Sequence, residues 1–190
     1  YRGVEVEKTT DFTILFLFSI GITKGKWGTL LNALLDFKRD YDENLDLELA
    51  LPDLLAANQE RYAGMGLKDL ADEIFAAMKQ HKTTANMSQA FGTLPKAEFS
   101  PVEAYENLVR NNIERVTLDE AAGRVAATGI VPYPPGIPLL MPGENAGPAD
   151  GPLLAYLKAL EAFDKSFPGF THDTHGIESE GGVYRMLVLK

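Results

Sequence analysis

With 190 residues, 45% hydrophobic and 24% charged, the chain is long enough to bury a real core and has the profile of an ordinary globular protein; disorder and low complexity are not indicated. A formal charge of −9 and a pI near 4.8 disfavour nucleic acid and anionic membrane, which both attract positive patches, and favour cations instead. Cysteine is absent, which excludes disulfides, thiolate metal sites and a cysteine nucleophile and fits a reducing compartment.

The N-terminus, Tyr1-Arg2-Gly3, has neither an initiator Met nor a signal-peptide pattern, so the chain is expected to begin inside a larger protein. Val4-Glu5-Val6-Glu7 alternates with period two and predicts a half-exposed strand with Glu5 and Glu7 on one face. Residues 12–18 contain the longest apolar run, five residues, far short of the roughly 20 that span a bilayer. They predict a strand buried on both sides, as in the middle of an α/β sheet. After Gly21 and Gly25, a helix over residues 26–42 places Trp27, Leu30, Leu31, Leu34, Leu35 and Tyr41 on one stripe. Asp36, Lys38, Arg39 and Asp40 fall on its solvent face. A boundary is expected near Asn44.

Residues 46–61 read as short helical pieces around Pro52, and Gly64-Met65-Gly66 resets the chain. The next helix carries Leu67, Leu70, Ala71, Ile74, Phe75 and Met78 inward, and residues 85–91 add a turn or two. Ser100-Pro101-Val102-Glu103 is a capping box with proline at the first helical position, so a helix runs to about Arg110. Strands follow over 113–118 and 124–130. A last helix opens at Asp150-Gly151-Pro152, with Leu153, Leu157, Leu160 and Phe163 or Asp164 inward. It stops near Phe167-Pro168-Gly169, and a closing strand covers 183–189 after Gly181-Gly182. There is no internal repeat.

Residues 131–144, Val131-Pro132-Tyr133-Pro134-Pro135-Gly136-Ile137-Pro138-Leu139-Leu140-Met141-Pro142-Gly143-Glu144, hold five prolines and two glycines. Such a stretch is neither a helix interior nor a central strand, because proline fixes φ and removes the backbone donor. Its apolar residues argue for a track packed on the protein body. The track serves either as a stiff connector between packed strands or as a rigid support for site side chains.

His172-Asp173-Thr174-His175 offers two imidazoles that would ligate zinc with a third ligand from elsewhere, or a turn whose polar groups bond the backbone. His81-Lys82 invites comparison with a Schiff-base lysine, yet cations in a last helical turn also complement the macrodipole. Neither a Gly-rich phosphate loop nor a GxSxG elbow is present. The residues alone specify no complete active site.

Val6-Glu7-Lys8-Thr9, Phe16-Leu17-Phe18-Ser19-Ile20-Gly21, Asp36-Phe37-Lys38-Arg39, Gly123-Arg124, Pro132-Tyr133-Pro134-Pro135-Gly136-Ile137-Pro138, Met141-Pro142-Gly143-Glu144, Pro168-Gly169-Phe170 and His175-Gly176 resemble the C-terminal third of bacterial ornithine/lysine/arginine decarboxylases. The resemblance runs the whole length, and the proline track followed by MPGE is its most specific part. It implies an α+β fold: residues 1–44 end an aminotransferase-like small domain, and 45–190 form the family's C-terminal domain.

The family are fold-type I pyridoxal phosphate enzymes whose Schiff-base lysine and phosphate-binding residues lie upstream. The resemblance therefore implies no catalytic, cofactor or metal residue in this portion. It maps the carboxylate beside the substrate's distal cation onto Glu7, with Tyr133 as a second substrate contact, and gives Glu144 and His175 structural roles only. A solvated strand carboxylate beside Lys8 is the alternative reading of Glu7. The implied activity is decarboxylation of a basic amino acid to its amine and CO2, with the cofactor as electron sink, serving polyamine metabolism and acid resistance in the bacterial cytoplasm. The implied partners are the amino acid and copies of the same chain, as a homodimer assembling to a decamer. The −9 charge suggests easier association on acidification. Residues 8–12 and 25–30 lean the substrate to arginine, with lysine close behind. The competing class is a non-catalytic acidic assembly or protein-binding module.

Overall fold

The computed structural model describes residues 3–10, 12–133 and 135–190, so Asp11 of the segment read for substrate, Pro134 of the proline track, and Tyr1 and Arg2 lie outside the described residues. The chain divides after Ala77 into two compact units. Helices and short antiparallel sheets make the chain α+β.

The first unit opens with a hairpin. Lys8–Thr9 (β1) pairs antiparallel with Ile14–Leu15 (β2), Lys8 opposite Leu15 and Thr9 opposite Ile14. The strand expected over 4–7 does not form, and regular pairing starts only after Glu7. The central strand expected over 12–18 is also corrected. Its ladder covers two residues, and Ile14, Leu15, Leu17 and Phe18 are 51%, 53%, 73% and 56% exposed. A buried central strand needs a neighbour on each edge and a layer on each face. Among the described residues only β1 pairs with β2.

The expected helix is present as Lys24–Asp42 (α1), but its apolar stripe is not covered: Trp27, Leu31, Leu34 and Leu35 are about half exposed. Asp40, assigned to the solvent face, is buried instead. Helical periodicity says which residues share a face, and the cover for that face is a separate matter.

Asn44, in the left-handed region at φ 52°, ends α1. Its Oδ1 accepts the N–H groups of Lys68 and Asp69 at 2.9 and 3.2 Å, and so caps Leu67–His81 (α5). The Asp69 carboxylate returns the favour by accepting from Gly66 N–H and Asn44 Nδ2 at 3.0 and 2.9 Å. Asn44 therefore lies inside the first unit, joining two helices. Between them run Leu47–Ala50 (α2), Pro52–Ala57 (α3) and Gln59–Tyr62 (α4), the short pieces expected around Pro52. Leu47, Tyr62 and Leu70 are buried in this unit.

The second unit contains Thr83–Phe91 (α6), Pro101–Val109 (α7), Ile113–Thr117 (β3), Val131–Tyr133 (β4), Pro152–Ser166 (α8), Asp173–His175 (β5), Ile177–Glu180 (β6) and Val183–Leu189 (β7). The strands form a three-stranded antiparallel sheet, β3-β7-β6, and a separate β4-β5 ribbon. Alternation along β7 buries Tyr184, Met186 and Val188 on one face, the period-two pattern of a half-buried strand. They pack in one core with Leu153, Leu154, Leu157 and Leu160 of α8 and with Val116, Ile130 and Leu140. α6 joins that core through Ala90, and Phe91 meets the Tyr156 ring edge-on at 5.9 Å.

The capping box forms as expected: Ser100 Oγ accepts Glu103 N–H at 3.3 Å, and Glu103 Oε2 accepts Ser100 N–H at 2.7 Å. The strand expected over 124–130 is replaced by isolated bridges, Val125 with Asn145, Ala126 with Val188 and Ile130 with Leu140. Each bridging residue turns to a different neighbour, so no ladder propagates.

Candidate functional site

Glu7 sits in the first unit at the mouth of the hairpin. Its backbone N–H donates to Leu15 O at 3.0 Å, which fixes the residue against β2, and its side chain is exposed. The backbone is held and the carboxylate is open to solvent.

Tyr133 lies in the second unit and ends β4, opposite Asp173 of β5. Pro132 and Thr174 are paired and face inward, Thr174 at 7% exposure, so Tyr133, Asp173 and His175 share the outward face. The Asp173 carboxylate lies 3.6 Å from His175 Nε2, and both side chains are largely exposed. The Tyr133 ring leans on the following turn. A Cβ at Gly136 would meet Tyr133 Cδ2 at 3.0 Å, and Gly136 N–H donates to Pro132 O at 2.8 Å. The phenol is therefore held by glycine's missing side chain and is still half exposed.

Farther along the track Leu139 and Leu140 are buried, and Ile130 N–H donates to Leu140 O at 2.9 Å. Glu144 Oε2 accepts Met141 N–H at 2.7 Å and closes the MPGE turn. Gly143, at φ 92°, lies where a Cβ would be 2.3 Å from Phe99 O.

The two histidines of the HDTH segment part company. His175 faces outward on the ribbon, whereas His172 turns in to Asp164 of α8, its Nδ1 at 2.6 Å from Oδ1. No group of three potential metal ligands occurs among the described residues. The buried cluster of Asp164, His172 and Tyr184 is the polar feature that motif reading passed over. Burial, with the Asp164 hydrogen bond adding to it, pushes the Tyr184 phenol far up from its ordinary range, so it stays protonated and donates to Asp164. The signal for it in the sequence was an acid at position 164 in phase with the apolar stripe of α8.

His81 ends α5, and Lys82, exposed and left-handed at φ 52°, precedes α6. A Schiff-base lysine has to be desolvated to be nucleophilic near neutral pH. Among the described residues no lysine is buried.

The family model described as "Orn/Lys/Arg decarboxylase, C-terminal domain" matches residues 84–190. The chain belongs to this family. The biodegradative arginine decarboxylase of Escherichia coli (strain K12) is 46% identical over 189 residues, covering 100% of this chain and 25% of that protein. A lysine decarboxylase of Pseudomonas aeruginosa is 46% identical over 181 residues, 95% of this chain and 24% of that protein. Among solved structures, the constitutive lysine decarboxylase of E. coli superposes with a TM-score of 0.91 at 43% identity, covering 100% of this chain and 27% of that chain. The chain thus spans about a quarter of the length of the relatives it matches. Among its described residues no helix is long and apolar enough to cross a membrane.

Proposed function

We propose that the chain is part of a pyridoxal phosphate-dependent decarboxylase that converts a basic amino acid, arginine ahead of lysine, to the corresponding amine and CO2 in the bacterial cytoplasm. The observation that carries this reading is the match to an arginine decarboxylase along the whole chain at 46% identity. In this proposal the cofactor belongs to the upstream part of the enzyme, in keeping with a chain that spans about a quarter of the length of its relatives. Residues 1–44 end the aminotransferase-like small domain and 45–190 form the C-terminal domain in this proposal.

The contribution of this portion is substrate recognition and assembly. A guanidinium or ammonium entering a protein exchanges hydration for a charged partner, and the Glu7 carboxylate on its hairpin is such a partner. Tyr133 adds a phenol that packs and hydrogen-bonds. Assembly to dimers and decamers, easier in acid, is favoured by a charge of −9 that diminishes as carboxylates are protonated. The exposed apolar residues of β2 and α1 support docking onto other parts of such an assembly.

The test is CO2 release by the full-length parent with pyridoxal phosphate, offered arginine, lysine and ornithine separately. One of them is turned over, and Glu7→Gln raises KM for it by about tenfold to a hundredfold, the range for losing a charged hydrogen bond, with a smaller effect on kcat. No release from any of the three sinks the activity, and an unchanged KM in Glu7→Gln sinks the role of the carboxylate.

A further inference from the structure

Asp164 is a carboxylate on the buried face of α8, 8% exposed. Both of its oxygens lie 3.1 Å from the His172 N–H, Oδ1 is 2.6 Å from His172 Nδ1, and Oδ2 accepts the Tyr184 hydroxyl. One turn earlier, Glu161 Oε1 accepts the Tyr184 N–H at 2.6 Å. A buried carboxylate is strongly unfavourable without such donors, and these come from β7 and from the residue just before β5.

That residue leads directly to Tyr133. His172 is followed by Asp173, which stands opposite Tyr133 in the β4-β5 ribbon. The ribbon has three pairs and too little ladder to hold its own register. A slip of one residue would turn Thr174 outward and the outward pair inward. Two pins prevent it. At one end Asp164 grips both the backbone and the ring of His172. At the other, Gly176 at φ 82° fits against Gly129, where a Cβ would stand 2.1 Å from the carbonyl oxygen.

We propose that Asp164 is a positioning residue for Tyr133: by fixing His172 it sets the register of β5, and with it the direction in which the Tyr133 phenol is presented to substrate. The proposal rests on the substrate role of Tyr133 given above. Asp164 touches neither substrate nor cofactor in it and acts only through the ribbon.

The test is a double-mutant cycle in the full-length parent, with steady-state kinetics on the amino acid it decarboxylates, for wild type, Tyr133→Phe, Asp164→Asn and the double variant. Tyr133→Phe removes the hydroxyl and keeps the ring on Gly136. Expected are a KM raised several-fold in each single variant with kcat within about twofold, and less than about a twofold further rise on adding Asp164→Asn to Tyr133→Phe. The same fold-loss from Asp164→Asn in both backgrounds would mean a general structural role and overturns the proposal. If Tyr133→Phe is impaired and Asp164→Asn is silent, the proposal alone fails. If Tyr133→Phe matches wild type, the substrate reading of Tyr133 fails and takes the proposal with it. Should Asp164→Asn not yield folded enzyme, His172→Gln replaces it in the cycle, with the same two outcomes deciding.

Discussion

At the scale of single residues, two kinds of glycine can be told apart. Gly176 is left-handed and pressed on Gly129 O, whereas Gly123, at φ 72°, has nothing within 4 Å of the position of a Cβ. Gly123→Ala should cost only the left-handed penalty, about 1–2 kcal/mol. Gly176→Ala adds overpacking against backbone and should cost roughly 2–5 kcal/mol in all, read by urea denaturation of both variants. Equal losses would mean that the close approach at Gly176 is relieved at no expense. His175-Gly176 is one of the segments that resemble the family, and the sequence is silent on why a glycine stands there. The reason is a carbonyl far away in the chain. Asp164 was similar: its place on the inward face of α8 was legible, but its donors, His172 and Tyr184, meet it only through the tertiary fold.

Elements were most legible where local chemistry closes on itself. The Ser100-Pro101-Val102-Glu103 box places both partners within one turn, and α7 starts where they say. Bonds from the Ser100 hydroxyl and N–H hold the Glu103 carboxyl below its ordinary value of 4.5. A group depressed on folding stabilises the protein above its unfolded value and loses that contribution as pH falls through the folded one. Ser100→Ala should destabilise the protein at neutral pH by removing the cap, and the gap to wild type should narrow as pH is lowered below 4.5. Denaturation at neutral pH and near pH 4 checks this; a gap that widens in acid contradicts it. Thr117 and Glu120 make a second reciprocal pair after β3, with the Glu120 carboxyl lowered for the same reason. Strands were less legible, because alternation and apolar runs report a wish for burial and not a pairing partner. Residues 4–7 and 124–130 had the pattern and found no continuous ladder.

For the whole molecule, the same distinction explains residues 12–37. The apolar pattern assigns Leu17 and Trp27 to the core, yet they are exposed at 73% and 50%, and Ile20 between them at 110%. Exposed apolar side chains of this kind suit the docking role proposed above. The 190-residue chain should bind a hydrophobic dye such as ANS, and Leu17→Lys with Ile20→Lys should lower the signal by more than half; an unchanged signal would place the dye elsewhere. Family membership was legible from the motifs because they are local strings. The strand order β3-β7-β6 was not, since it is written in no single stretch. That order also sets a timetable for biogenesis. The middle strand, Val183–Leu189, is the last of the three to be made, so neither Ile113–Thr117 nor Ile177–Glu180 has its neighbour until then. At a synthesis rate of about 5–20 residues per second, β3 waits on the order of several seconds outside the ribosome with its apolar face open. Closure of this sheet waits on β7, and β3 is the segment left open in the interval.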